Sequence, residues 1–117
     1  MQHRRVGTKF HRLRGQRRAF MRGLANNLIR HGRIETTETR AKALRPFVER
    51  LVTIARKNDL ASRRLVVSRL ANRDTARRLA EDIAPRYKER PGGYTRISKL
   101  MEARKRDGSR LAVIEFV

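Results

Sequence analysis

The spacing of apolar residues along this chain changes several times, and the changes predict its elements. From Arg17 to His31, Phe20, Met21, Leu24, Ala25, Leu28 and Ile29 recur as adjacent pairs four positions apart, the stripe of one amphipathic helix, while Arg17, Arg18, Arg22 and Asn26 fall elsewhere. Gly32 follows at the place past a helix end where left-handed backbone costs glycine nothing. RIETT at 33–37 alternates and predicts a short strand, with Ile34 on one face and Arg33 and Glu35 on the other. A second helix is predicted over 39–57, its core side formed by Ala41, Leu44, Phe47, Val48, Leu51, Val52 and Ala55. Pro46 lies inside it, so the helix either kinks there or begins near Arg45, and the kink is the preferred reading.

Asp59 predicts the cap of a third helix over 60–70, with Leu65, Val66 and Leu70 apolar. Asn72 or Asp74 caps a fourth, with Ala76, Leu79, Ala80 and Ile83 as its stripe and an end near 85–88. The period then changes. PGG at 91–93 signals a turn, and YTRISKLM and RLAVIEFV read as two strands joined through DGS by a hairpin or a slightly longer loop. The last strand is apolar almost throughout, as in a strand well covered by helices. The order helix, strand, three helices, two strands predicts an α/β (α+β) two-layer fold, a single domain over 17–117.

Residues 1–16 have no such stripe. Arg4, Arg5, Lys9, Arg12 and Arg14 stand there without an acid, with Gly7 and Gly15 as flexible points. The segment reads as a basic extended arm, either frayed in solvent or ordered when it threads between phosphates. Over the whole chain 31 Lys and Arg face 11 Asp and Glu, a net charge of +20 that must be offset by a polyanion or tolerated at a cost in stability. Arg far outnumbers Lys, and the planar guanidinium grips phosphate oxygens bidentately or stacks on a base. Further cations, Arg33, Arg63 and Arg64, Arg77 and Arg78, and Arg96, Lys99, Arg104, Lys105, Arg106 and Arg110, spread charge over many faces, which suits burial in folded RNA better than one groove-facing helix. For any single Arg, the plain alternative is a solvated face whose stem covers apolar surface.

Other chemistry has little to stand on. There is no Cys, hence no disulfide or thiolate, and His3, His11 and His31 have no metal-ligand spacing. For His31 a helix-capping imidazole is the favoured reading. Glu81 and Asp82 are adjacent and diverge on a helix, and Glu35 and Glu38 flank a strand end, so no carboxylate pair converges on a reacting centre. The acids are expected to pair with neighbouring Arg, Glu49 with Arg45 and Glu81 with Arg77. No phosphate-cradling glycine loop or nucleophile elbow occurs, so neither an enzyme nor a cofactor is expected. No apolar run reaches membrane-span length and no secretory stretch opens the chain, so a cytoplasmic address is the default. Tyr94, beside Gly92 and Gly93, either reaches RNA or anchors the start of a strand. With 5% aromatics the chain does not resemble a base-stacking platform.

The start MQHRRVGTKFHR, the block LIRHGRIETTETRAKALRPFVERLVTIAR, the stretch DLASRRLV, and IAPRYKERPGGYTRISKL with LAVIEFV together resemble the bacterial large-subunit ribosomal protein seventeen family over the whole chain. RIETT with the AKALRPFVE helix, and PGGYTRI, are its distinctive parts. The resemblance implies a two-layer body bound to 23S ribosomal RNA near the polypeptide exit tunnel, beside neighbouring large-subunit ribosomal proteins. It implies no membrane, no small-molecule substrate and no obligate homo-oligomer. It assigns RNA contact to His3, Arg4, Arg5, Gly7, Lys9 and Arg12 in the arm, to Arg17, Arg18 and Arg22 on the first helix, and to Gly92, Gly93, Tyr94, Thr95 and Arg96 in the loop. Arg14, Arg33, Arg63 and Arg64 join them from the charge pattern. Gln2 stands where the family usually has Arg, and Gly15 and Gln16 where it has Ser and His, so the arm's tip meets RNA on different terms. The rival readings are a nucleoid or helix-turn-helix DNA binder, an RNA-processing enzyme and a membrane-active amphipathic chain.

Overall fold

A computed structural model describes residues 13–117 of the chain; the candidate contacts His3, Arg4, Arg5, Gly7, Lys9 and Arg12 lie outside the described residues. Helix α1 spans Arg14–His31, β1 Arg33–Thr37, α2 Glu38–Ala55, α3 Leu60–Leu70 and α4 Arg73–Arg78. A π turn (Leu79–Ile83) and a 3-10 turn (Ala84–Tyr87) continue α4, and β2 (Thr95–Ala103) and β3 (Arg110–Phe116) close the order. The strands form one antiparallel sheet in the order β1-β3-β2, with the helices as a second layer, so the fold is α+β.

Local chemistry accounts for most boundaries. Helix α1 begins at Arg14, three residues before the expected start at Arg17, because the Leu13 carbonyl already accepts from the Arg17 amide at 2.8 Å. It stops at Gly32, whose φ of 81° turns the chain while its amide donates to the Leu28 carbonyl. Thr37 caps α2, Asp59 accepts from the Ser62 amide at 2.7 Å to start α3, and Asn72 accepts from the amides of Asp74 and Thr75 to start α4. Helix α2 runs through Pro46 as a single element, which excludes a start near Arg45. The hydrogen bond that proline forfeits belongs to the carbonyl of Lys42, and both residues are exposed, so water can satisfy it. Pro85 ends the fourth helical stretch: it has no amide to continue the ladder, and the backbone widens and then tightens around it.

Two side chains sit differently from the sequence-based expectation. Leu65 is exposed, and α3 buries Ser62, Val66 and Leu70 instead, a stripe four residues apart. Arg77 pairs with Asp74 rather than with Glu81, since the α-helical spacing that would join 77 to 81 is lost where the π turn begins. The Arg45–Glu49 pair forms as expected, at 3.4 Å.

The core lies between α2 and the sheet, with α1 alongside. Leu44, Val48, Leu51 and Val52 of α2, Leu28 and Ile29 of α1, and Ala112 and Ile114 of β3 are all buried. Cross-strand partners share a face, so the register places Ile34, Ile114 and Ile97 in one row toward the helices and Arg33, Glu115 and Arg96 in a row on the opposite face. Only one face of β3 is covered by helices. Its near-continuous apolar run reflects its central place, since Val113 on the outer face is flanked by strands on both sides and is 6% exposed. Between Lys99 and Ala103 the register of β2 shifts by two residues, which restores the same facing and leaves Met101 fully exposed. The connection to β3 is longer than a tight hairpin: Arg104 and Ser109 bond across it, with Gly108 at a φ of 70°.

Leu51, in the C-terminal half of α2, is 1% exposed and part of the core cluster. Leu51→Ala should therefore lower the unfolding free energy in urea by about 2–5 kcal/mol. A loss well under 1 kcal/mol would mean that α2 is not the element that seals the core.

Candidate nucleic-acid interface

No acidic residue precedes Glu35 in the sequence, so α1 carries Arg14, Arg17, Arg18, Arg22 and Arg30 with no carboxylate of its own. Its first two turns stand clear of the core: Arg14, Gly15, Gln16, Arg18 and Ala19 are exposed, and burial begins in earnest at Ala25. No side chain caps this end and no acid lies in its first turn. The positive end of a helix dipole is favoured by nearby anions by about 0.3–1 kcal/mol each and disfavoured by cations. Stacking Arg14, Arg17 and Arg18 there works against the isolated helix and concentrates positive potential at one projecting end. Among the described residues no carboxylate is paired with Arg14, Arg18 or Arg22.

The rear of α1 is tied to the body. Asn26 donates to the Leu70 carbonyl at 3.1 Å and accepts from the Thr75 hydroxyl, Arg78 donates to the Ile29 carbonyl at 3.0 Å, and the Arg40 guanidinium lies 5.0 Å over the Phe20 ring. The basic end is thus held out on a rigid support. Arg78, one of the cations considered for RNA, is spent on this anchoring.

On the outer sheet face Arg96 grips Glu115 through two nitrogens at 3.2 and 2.8 Å. That hydrogen bond, then the charges of Arg96 and Arg33, hold the Glu115 carboxyl below its ordinary value against the opposing effect of partial burial. The fold therefore brings Arg33 and Arg96 together across one acid, leaving a net positive row. Arg63 and Arg64 are exposed on α3, and Arg63 is oriented by Asn58, whose side-chain oxygen accepts from two of its nitrogens at 3.1 and 2.8 Å.

In the PGGYT segment Gly93 is exposed, whereas Tyr94 and Thr95 are buried. Gly92 and Gly93 leave open space around their backbone, and Gly93 has a φ of 64°. Tyr94 is 0% exposed, its ring 5.1 Å from that of Tyr87 and its hydroxyl bonded by Arg56 at 2.9 Å and Thr53 at 3.1 Å. Thr95 is buried too, its amide and hydroxyl both donating to Glu49 at 3.2 and 2.9 Å. In this fold neither side chain is available to stack on or bond a base: Tyr94 anchors the strand. The sequence did not reveal this, because an aromatic beside two glycines suits a core anchor and a ligand contact equally. It also gave no signal that Arg40 lies over Phe20, that Arg45 reaches the Thr95 carbonyl as well as Glu49, or that Arg56 bonds Tyr94 and the Lys88 carbonyl.

Among the described residues no three His, Asp or Glu side chains gather in an arrangement that holds a metal. No helix there is long and apolar enough to cross a membrane.

A small two-layer α+β body that holds out one uncapped, acid-free helix end defines the class: a strongly basic α+β protein. The family model described as ribosomal protein L17 matches residues 20–117. Relatives named large ribosomal subunit protein bL17 are 53% identical in Persephonella marina, over all of this chain and 95% of the relative, and 50% identical in a Hydrogenobaculum species, over all of this chain and 99% of the relative. The one from Thermus thermophilus is 46% identical over the same shares, 100% and 99%. The chain belongs to the ribosomal protein L17 family.

Two ion-paired carboxylates give the fold a defined acid response. Asp107 is held below the usual carboxylate range by the hydrogen bonds of Arg104, at 3.1 and 2.6 Å, and of Ser109, and Glu115 is held down by Arg96. Their ordinary values are 3.8 and 4.5, so on acidification the unfolded chain takes up these protons first. The stability they lend is complete above those values and is lost as pH falls through the lower, folded ones. The unfolding temperature should hold steady down to about pH 5 and then decline, less steeply in the double variant Asp107→Asn, Glu115→Gln. Thermal melts by circular dichroism across this range check it, and identical slopes would remove both pairs from the account.

Proposed function

We propose that the chain is a structural constituent of the large ribosomal subunit, without catalytic chemistry of its own, that binds 23S ribosomal RNA near the exit tunnel among neighbouring large-subunit proteins. The arm of residues 1–16 and the first helix grip phosphates together, while the α+β body orients them. Since α1 begins at Arg14, residues 14–16 of that arm form the helix's first turn. One observation carries this reading: a rigidly supported helix end bears Arg14, Arg18 and Arg22 with no carboxylate partner among the described residues, a cost in the free chain that a phosphate backbone removes. The names of the relatives supply the identity of the polyanion. Recognition of this kind reads RNA shape and backbone rather than sequence. The resulting address is the ribosome in the cytoplasm.

Each neutralised phosphate releases counterions, so affinity for 23S RNA fragments should fall with salt. If about six arm charges each meet a phosphate, they contribute roughly −4 to −5 to the slope of log affinity against log salt. Arg14→Gln, Arg18→Gln and Arg22→Gln together should make the slope shallower by roughly 2 to 3. Filter binding over a salt series measures both, and an unchanged slope would detach the helix end from the RNA. Equal affinity for duplex DNA of the same length would favour a nucleoid role instead.

A further inference from the structure

On the body, α3, the end of α2 and the α4 stretch enclose a groove of about 290 Å³, at the lower end of the roughly 300–1,000 Å³ typical of ligand pockets. Its floor is aliphatic. Val66 and Val67 come from α3, and Ala76 and Ala80 from the facing stretch, where the small side chains leave the depth. Its rim is basic: Arg63, Arg73 and Arg77 stand around it against one acid, Glu81. We infer that this groove takes a single unstacked nucleobase of the bound RNA, with that nucleotide's phosphate held by the rim guanidinium groups.

The reading rests on the RNA-binding role proposed above and adds a site to it. An aliphatic floor alone would suit a base or an apolar side chain of a partner protein. The rim decides between them. An apolar plug would cover three guanidinium groups while bringing no counter-charge, and desolvated cations without a partner are costly. A nucleotide brings a flat apolar face and its own anion on one short linker, which matches floor and rim at once. The rim is also prepared for it. Asn58 fixes the Arg63 guanidinium through two nitrogens at 3.1 and 2.8 Å, so its remaining donors are aimed before any ligand arrives. Asn58 does this from a left-handed conformation, φ 53°, that asparagine tolerates better than most residues. The Arg77–Asp74 pair is exposed and weak, 64% and 89% for the two side chains, and is readily exchanged for a phosphate. Arg73 has no ion pair among the described residues.

Methyl-labelled full-length chain titrated with AMP, and separately with ribose 5-phosphate, tests this by NMR. AMP at millimolar concentration should shift the methyls of Val66, Val67, Ala76 and Ala80 saturably, and ribose 5-phosphate should not. Ala80→Leu, which fills the groove, should weaken AMP roughly tenfold, a change of the size that losing a good set of contacts produces. The surface variant Arg63→Gln, Arg73→Gln should do the same without touching the core, and it serves where Ala80→Leu fails to fold. Methyls that stay still, that respond equally to both compounds, or that still saturate with AMP at unchanged affinity in a folded variant would overturn the inference. So would preference for an apolar peptide with acidic flanks over AMP. If the groove fails while 23S RNA fragments still bind with the salt dependence described, this site alone falls; if those fragments do not bind at all, the ribosomal RNA reading falls with it.

Discussion

Eleven carboxylates cannot neutralise thirty-one cations, and that shortage governs how the chain is built. The fold divides its guanidinium groups into two populations. Some are consumed internally as hydrogen-bond donors: Arg56 to the Tyr94 hydroxyl and the Lys88 carbonyl, Arg45 to the Thr95 carbonyl, and Arg78 to the Ile29 carbonyl. These bonds need an acceptor but no acid, so they join elements without drawing on the few carboxylates. Among the described residues most of the others are exposed, and mutual repulsion of such charges is the term that a polyanion would relieve.

Three of the acids, Glu38, Glu49 and Glu115, are placed where they join separate elements. Glu49 receives the amide and hydroxyl of Thr95 and the side chain of Arg45, and so binds α2 to the start of β2. Glu115 sits between Arg96 and Arg33 across the three strands, and Glu38 between Lys42 and Lys99 at the start of α2. Exposed pairs contribute little to stability one by one. Their value here is positional, because they fix which cations remain outward. Helix α1 shows the same division along its length: its rear half is packed and bonded into the body, and towards its front Arg14, Arg18 and Arg22 have no ion pair among the described residues.

Much of this was legible in the residues. The paired stripe from Phe20 to Ile29, Gly32 as a stop, Asp59 and Asn72 as caps, and RIETT as a strand each rest on a local rule, and each local rule agreed with the tertiary result. The misreadings share a cause. Leu65 was counted into the core because a short helix with apolar residues at 60, 65, 66, 67 and 70 does not specify which side is inward until a neighbour packs against it. Arg77 was matched to Glu81 on the assumption of regular helix, which Pro85 upsets a turn earlier than its own position.

The sequence by itself determined the order and type of the elements, the absence of thiol chemistry, and a positive charge far beyond what its acids can offset, because propensity, capping and net charge are properties of composition and of neighbours along the chain. Tertiary structure alone decided that Tyr94 and Thr95 are interior anchors, that Arg33 and Arg96 converge on Glu115, and that a groove opens between α3 and the α4 stretch. Those outcomes depend on which surfaces meet across dozens of residues. Burial and register are set by that meeting, and no local spacing encodes them.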